Sequence, residues 1–179
     1  MYEEKIIKDL NDSQIIDIQH DKKSVPYQIV GTQLANKNCN FDAKIMVNGN
    51  SVGILEIKTF HMKYDNKFFN YFTLQLCKLH FPKLDVPFLL IVECKCGTLM
   101  MYQYKPSHLK KFTIGQAQGY KHYYPDGRIE DSDELFFFIP KTDFKLIGQK
   151  KRPTFKLKSL EHLPMIENGV NAKICRILA

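Results

Sequence analysis

Apolar positions recur with two different periods along the first hundred residues. Ile6, Ile7 and Leu10 stand at helical spacing, with Glu3 and Glu4 ahead of them, where acids suit a helix N-terminus; this predicts a short helix over 2–11. Asn11-Asp12-Ser13 then breaks the pattern. Residues 14–19 (QIIDIQ) and 27–30 read as strands, and 32–41 as a polar connection. Residues 42–47 and 51–59 are rich in β-branched residues and flank Asn48-Gly49-Asn50, which predicts a hairpin. Phe68, Phe69, Phe72, Leu76 and Leu79 return to helical spacing and predict a helix over 66–80, closed by Pro82. Residues 86–93 (VPFLLIVE) are almost unbroken apolar, the pattern of a central strand covered on both faces. Gly97 marks a turn into a partner strand at 99–104.

The second half is less regular. Glycines, Pro125, glutamines and tyrosines in 112–134 predict a long irregular excursion, and 135–139 (LFFFI) a buried strand. The expected fold class is mixed α/β: a central mixed sheet flanked by helices. One domain spans 1–179, with its core over about 2–104 and an insertion and basic extension from 105 to 179.

Composition narrows the partners. The formal charge is +7, which favours a polyanionic partner or a solvated lysine-rich surface. No apolar run is long enough to span a bilayer, and the N-terminus has no apolar signal-peptide centre, so a cytoplasmic, non-secreted protein without a membrane partner is expected. Five irregularly spaced cysteines suit a reducing compartment. Cys94-Lys95-Cys96 is too closely spaced for the usual paired zinc ligands, so structural thiols are expected, both on one face of an extended strand.

Candidate chemistry lies in the hairpin. Glu56 and Lys58 alternate onto one strand face, with Ile57 on the other. A two-residue turn at Asn48-Gly49 would pair Val47 with Asn50 and set Asp42 opposite Leu55, on the wrong face. A three-residue loop, Asn48-Gly49-Asn50, would set it opposite Glu56, and this odd-numbered loop is expected. Two facing carboxylates repel unless a cation joins them, and Mg²⁺ suits oxygen donors: Asp42, Glu56 and the Ile57 carbonyl would hold it while leaving positions for water and a phosphate oxygen. Lys58 could orient or deprotonate that water or stabilise the transition state.

With a helix and strands before the hairpin and an expected helix and strand after it, the chain resembles the PD-(D/E)XK nuclease superfamily, the restriction-endonuclease-like fold. The resemblance covers residues 2 to about 104. It implies Asp42 and Glu56 as metal ligands, Lys58 as the catalytic lysine, and Glu4 or Glu3 in the first helix as a candidate addition to the metal site. Phe41 stands where the superfamily often has proline, and Leu79 rather than tyrosine follows Gln75 at the fourth position. The expectation is a Mg²⁺-dependent endodeoxyribonuclease of restriction or phage and mobile-element type, with Mn²⁺ able to substitute. Duplex cleavage would call for a homodimer or a partner subunit. A junction-selective or RNA nuclease, and a non-catalytic nucleic-acid-binding module, are the alternatives.

Two basic clusters are candidates for gripping DNA: Lys110 and Lys111 beside His108, and Lys150, Lys151, Arg152, Lys156 and Lys158 in GQKKRPTFKLK. Tyr120, His122, Tyr123 and Tyr124 could stack on bases or cover a core edge.

Overall fold

The computed structural model describes residues 2–32, 41–61, 63, 70–75, 87–116, 121–123, 127–131, 135–147 and 153–156. In chain order the elements are α1 (Tyr2–Ser13), β1 (Asp17–His20), β2 (Lys23–Ser24), β3 (Gln28–Gly31), β4 (Ala43–Val47), β5 (Asn50–Phe60) and β6 (Tyr71–Gln75). There follow β7 (Phe88–Cys94), β8 (Leu99–Gln103), β9 (Thr113–Gln116), β10 (Lys121–Tyr123), β11 (Ile129–Asp131), β12 (Leu135–Pro140), β13 (Lys145–Leu146) and β14 (Thr154–Lys156). The protein is mixed α/β, with strands predominating and α1 as the α-helix among the described residues.

Six strands form the central sheet in the order β13-β8-β7-β5-β4-β3. Its neighbours are antiparallel except β5 and β7, which run parallel, so the sheet is mixed as expected. β7 is buried on both faces: Phe88, Leu90 and Val92 enter one apolar cluster, Leu89 and Ile91 the other. The near-continuous apolar run follows from that double burial.

α1 covers one face. Ile6 and Leu10 pack with Leu55, Ile57, Leu89 and Ile91, and Ile18 of β1 and Phe155 of β14 complete that layer. The helix runs past the expected break to Ser13 and ends at Gln14, which has φ +47°. Asn11 remains helical because its side chain is engaged elsewhere: Nδ2 donates to the Ile29 carbonyl at 2.9 Å, and the Ile29 N–H donates to Oδ1 at 2.6 Å.

The opposite face is covered by strands where a helix was expected. Over 71–75 the predicted helix is instead β6, in a three-stranded sheet of order β6-β12-β9. The segments 66–69 and 76–80 lie outside the described residues. Phe72 and Leu74 alternate inward with Tyr71, Thr73 and Gln75 turned outward, a period of two that the flanking phenylalanines conceal. Phe72, Leu74, Phe137 and Ile139 pack on Phe88, Leu90 and Val92. Residues beyond 105 thus supply both layers of the core, through Phe112, Phe137, Ile139 and Phe144 on one side and Phe155 on the other. Within the stretch expected to be irregular, β9 pairs with β12, and β10 with β11.

Cys94 ends β7 and is buried, whereas Cys96 lies in the exposed turn that follows, so the two do not share a strand face. Burial first, with a smaller contribution from neighbouring Cys96, pushes the Cys94 thiol up, away from thiolate chemistry. No helix among the described residues is long and apolar enough to cross a membrane.

Candidate active site in the β4–β5 hairpin

The hairpin reaches the expected pairing by an unexpected route. Val47 pairs with Asn50, so the turn has two residues, Asn48 and Gly49, at φ +50° and +80°. Two successive positive φ angles are the signature of a type I′ turn, and Asn-Gly is the sequence that best tolerates it. The expected three-residue loop is therefore corrected. A bulge then restores the register: Met46 pairs with Ser51, but Ile45 pairs with Gly53, leaving Val52 as the extra residue. From there Lys44 faces Ile54 and Ala43 faces Leu55, where the ladder ends; this register, continued by one residue, would set Asp42 opposite Glu56.

Val52 and Leu55 consequently both point toward α1, while Ile54 points into the other cluster. Gly53 sits at a close approach of neighbouring segments. A Cβ there would meet the Pro87 carbonyl oxygen at 3.3 Å and Ile45 Cδ1 at 3.4 Å.

β4 begins just after Asp42, and at that residue a side chain takes over from the ladder. The Ile57 N–H donates to Asp42 Oδ2 at 2.6 Å, and the Asp42 N–H to the Leu55 carbonyl at 3.1 Å. In a strand, the N–H and C=O of one residue point to the same side. The Ile57 carbonyl therefore points toward Asp42 as well, beyond the last β4 pair. Thr32, just past β3, fixes this bend: its Oγ1 lies 2.7 Å from the Phe41 carbonyl and 3.0 Å from that of Asp42, and its N–H donates to the Asp42 carbonyl at 2.9 Å. Thr32 was not legible as a site residue, because its role arises from contacts to residues nine and ten positions further along the chain.

Glu56 is the buried charged residue among the described ones, at 0% exposure. Its Oε1 lies 2.8 Å from Lys58 Nζ, whose side chain is 39% exposed. The contact is short but not aligned as a hydrogen bond at Oε1, so it is best described as an ion pair. Burying a carboxylate without compensation costs several kcal/mol, so a carboxylate in the floor of a sheet with an ammonium on its own strand face is an expensive arrangement to retain.

No three His, Cys, Asp or Glu side chains gather as a metal-binding group among the described residues. The donor set at the hairpin is two carboxylates and one carbonyl, all hard oxygens, which fits Mg²⁺ held with most of its positions left to water. Glu4 is exposed in the first turn of α1, a helix on the opposite side of the sheet from the Glu56 side chain.

The first predicted basic cluster meets the described part of the segment that carries the second. His108, Lys110 and Lys111 form a 3-10 turn after β8, with Lys110 and Lys111 exposed. Lys111, His108 and Thr154 of β14 line a single pocket, so the segments around 110 and 154 meet although some forty residues separate them. Lys156 is exposed on β14; Lys150, Lys151, Arg152 and Lys158 lie outside the described residues, as do Tyr120 and Tyr124. His122 and Tyr123 belong to β10.

Comparison with protein families, curated proteins and solved structures finds no match for this chain.

Proposed function

We propose that the chain is a metal-dependent endonuclease that hydrolyses DNA phosphodiester bonds, with the chemistry of the PD-(D/E)XK superfamily. The observation that carries this reading is a fully buried glutamate, Glu56, paired to Lys58 on one strand face and next in the chain to Ile57, whose N–H holds the Asp42 carboxylate. A surface charge cluster would explain Lys58 alone; it does not explain a carboxylate at 0% exposure.

Asp42, Glu56 and the Ile57 carbonyl would hold a magnesium ion, which supplies neutralisation of the phosphate and a more acidic water. The Ile57 N–H keeps Asp42 Oδ2 fixed, so the other carboxylate oxygen is presented without a search through rotamers. Lys58, tethered at Glu56 but part-exposed, places positive charge where negative charge develops on the phosphoryl oxygens. The surplus of basic side chains, +7 overall, favours a polyanionic substrate and predicts affinity that falls steeply with salt.

The test is cleavage of plasmid DNA with Mg²⁺, Mn²⁺ or EDTA, beside Lys58→Ala. Nicking or linearisation that needs metal, and falls by about 100-fold or more in the variant, is the expected result. Cleavage indifferent to EDTA or to Lys58→Ala overturns the reading. Branched DNA and RNA in parallel reactions separate the junction and RNA alternatives, and salt-sensitive binding without cleavage by the wild type would leave the non-catalytic module.

A further inference from the structure

A second polar feature lies past the far edge of the central sheet. β13 pairs with Met100 and Met101 of β8, so among the described residues the end of β8 has no strand partner on that side. There a pocket of about 270 Å³ opens between β8, the 3-10 turn at Pro106–Lys111 and the segment leading into β13. Lys105, Lys111 and Lys145 line it, all exposed at their heads, against one acid, Asp143. Its inner wall holds Tyr102, 2% exposed, hydrogen-bonded through its hydroxyl to His108 Nδ1.

The inner pair fixes which protons are available. Burial, then the Asp143 charge, push the Tyr102 phenol far above its ordinary range, so the hydroxyl stays protonated. Burial and the neighbouring lysines 111 and 105 lower His108, so the ring is neutral near pH 7. With the phenol donating to Nδ1, the remaining imidazole proton stands on Nε2, and His108 is then a neutral donor. Three ammonium groups against one carboxylate leave a surplus of two positive charges, which complements a dianion better than a monoanion.

We propose that this pocket binds a phosphate monoester, the terminal phosphate of a nucleic-acid strand or of a free nucleotide, through Lys105, Lys111, Lys145 and His108. A phosphodiester carries one charge, a monoester close to two at neutral pH. The pocket therefore distinguishes a strand's end from its interior. Glu56 pairs with Leu90, and Leu90 with Tyr102, so the pocket wall and the hairpin site stand in one cross-strand row, about 10 Å apart at two strand spacings. The choice of a strand end as ligand rests on the nuclease reading; the preference for a monoester does not.

The test is binding in EDTA, so that no metal-dependent cleavage intervenes. A short single-stranded oligonucleotide with a 5′-phosphate, its 5′-hydroxyl twin, its 3′-phosphorylated counterpart and a nucleoside monophosphate are compared by fluorescence anisotropy, directly or in competition. The expected result is about tenfold tighter binding of a phosphorylated strand, abolished in Lys105→Ala/Lys145→Ala with little change for the hydroxyl strand. These side chains are exposed, so the variant should fold, and circular dichroism checks it. A nucleoside monophosphate that competes as well as the strand assigns the pocket to free nucleotides. Equal binding of phosphorylated and hydroxyl forms with no competition by the monophosphate, or a preference that survives in the variant, overturns the proposal. A protein that cuts no DNA yet makes this distinction would retire the nuclease reading and keep the pocket; one that cuts without distinguishing would do the reverse.

Discussion

Glu56 and Lys58 set the terms at the residue scale. Sequence alternation placed both on one face, and the structure adds what alternation could not show: the glutamate is sealed and the lysine half in water. Removing the cation should therefore hurt more than removing the pair. Lys58→Met is expected to lower stability by about 1–3 kcal/mol, less than for a fully buried pair because water shares the lysine end. Glu56→Gln/Lys58→Met should recover at least half of that loss in urea denaturation; a double variant no more stable than the single would show that the pair is not the compensating contact. His108 gives a pH signature of opposite origin. Its pKa is lowered by burial and by Lys111 and Lys105, with Asp143 opposing, so the unfolded chain takes up the proton first. The stability it contributes is present above about pH 6.5 and is lost as pH falls through the lower folded value. Denaturation midpoints across that window should fall less in His108→Phe than in the wild type.

Among the elements, the hairpin shows how a correct pairing can follow from a wrong premise. Asn48-Gly49 favours a two-residue turn, and its positive φ angles are what those residues tolerate. That turn alone would have thrown Asp42 to the wrong face; the bulge at Val52 reverses the parity. Nothing in VNGNSVGIL announces a bulge except Gly53, whose missing Cβ lets Pro87 and Ile45 approach. Deleting Val52 should remove the bulge and turn Glu56 and Lys58 toward α1, abolishing cleavage and lowering the midpoint of unfolding. A fully active deletion would show that the bulge does not set the register. The stretch around Phe72 failed for a different reason. Phenylalanines at helical spacing also satisfy a strand period when they are dense enough, and the sheet face exposed by β7 decided the matter by pairing β6 with β12.

For the whole molecule, hydropathy revealed α1 and the strands β1, β3, β4, β5, β7 and β8, because each buries a face within roughly the first hundred residues. It did not reveal that later residues are built into both layers. β14 enters beside β1, in parallel, with Phe155 fully buried, a partnership that no local pattern in GQKKRPTFKLK predicts. The convergence of Lys111 and Thr154 on one pocket is the same long-range packing seen from outside. The sheet's other border, β3, carries a consequence for colloidal behaviour. A bare border strand recruits copies of itself, because its unpaired amides are a template for the next molecule. Asn11 answers both hydrogen-bonding groups of Ile29 with a single side-chain amide, so α1 interrupts that template midway along β3. Asn11→Leu keeps the helix but uncovers the template. Its expected phenotype is concentration-dependent light scattering from a protein that is still folded by circular dichroism, and a variant that stays monodisperse would show that the amide closes no such border.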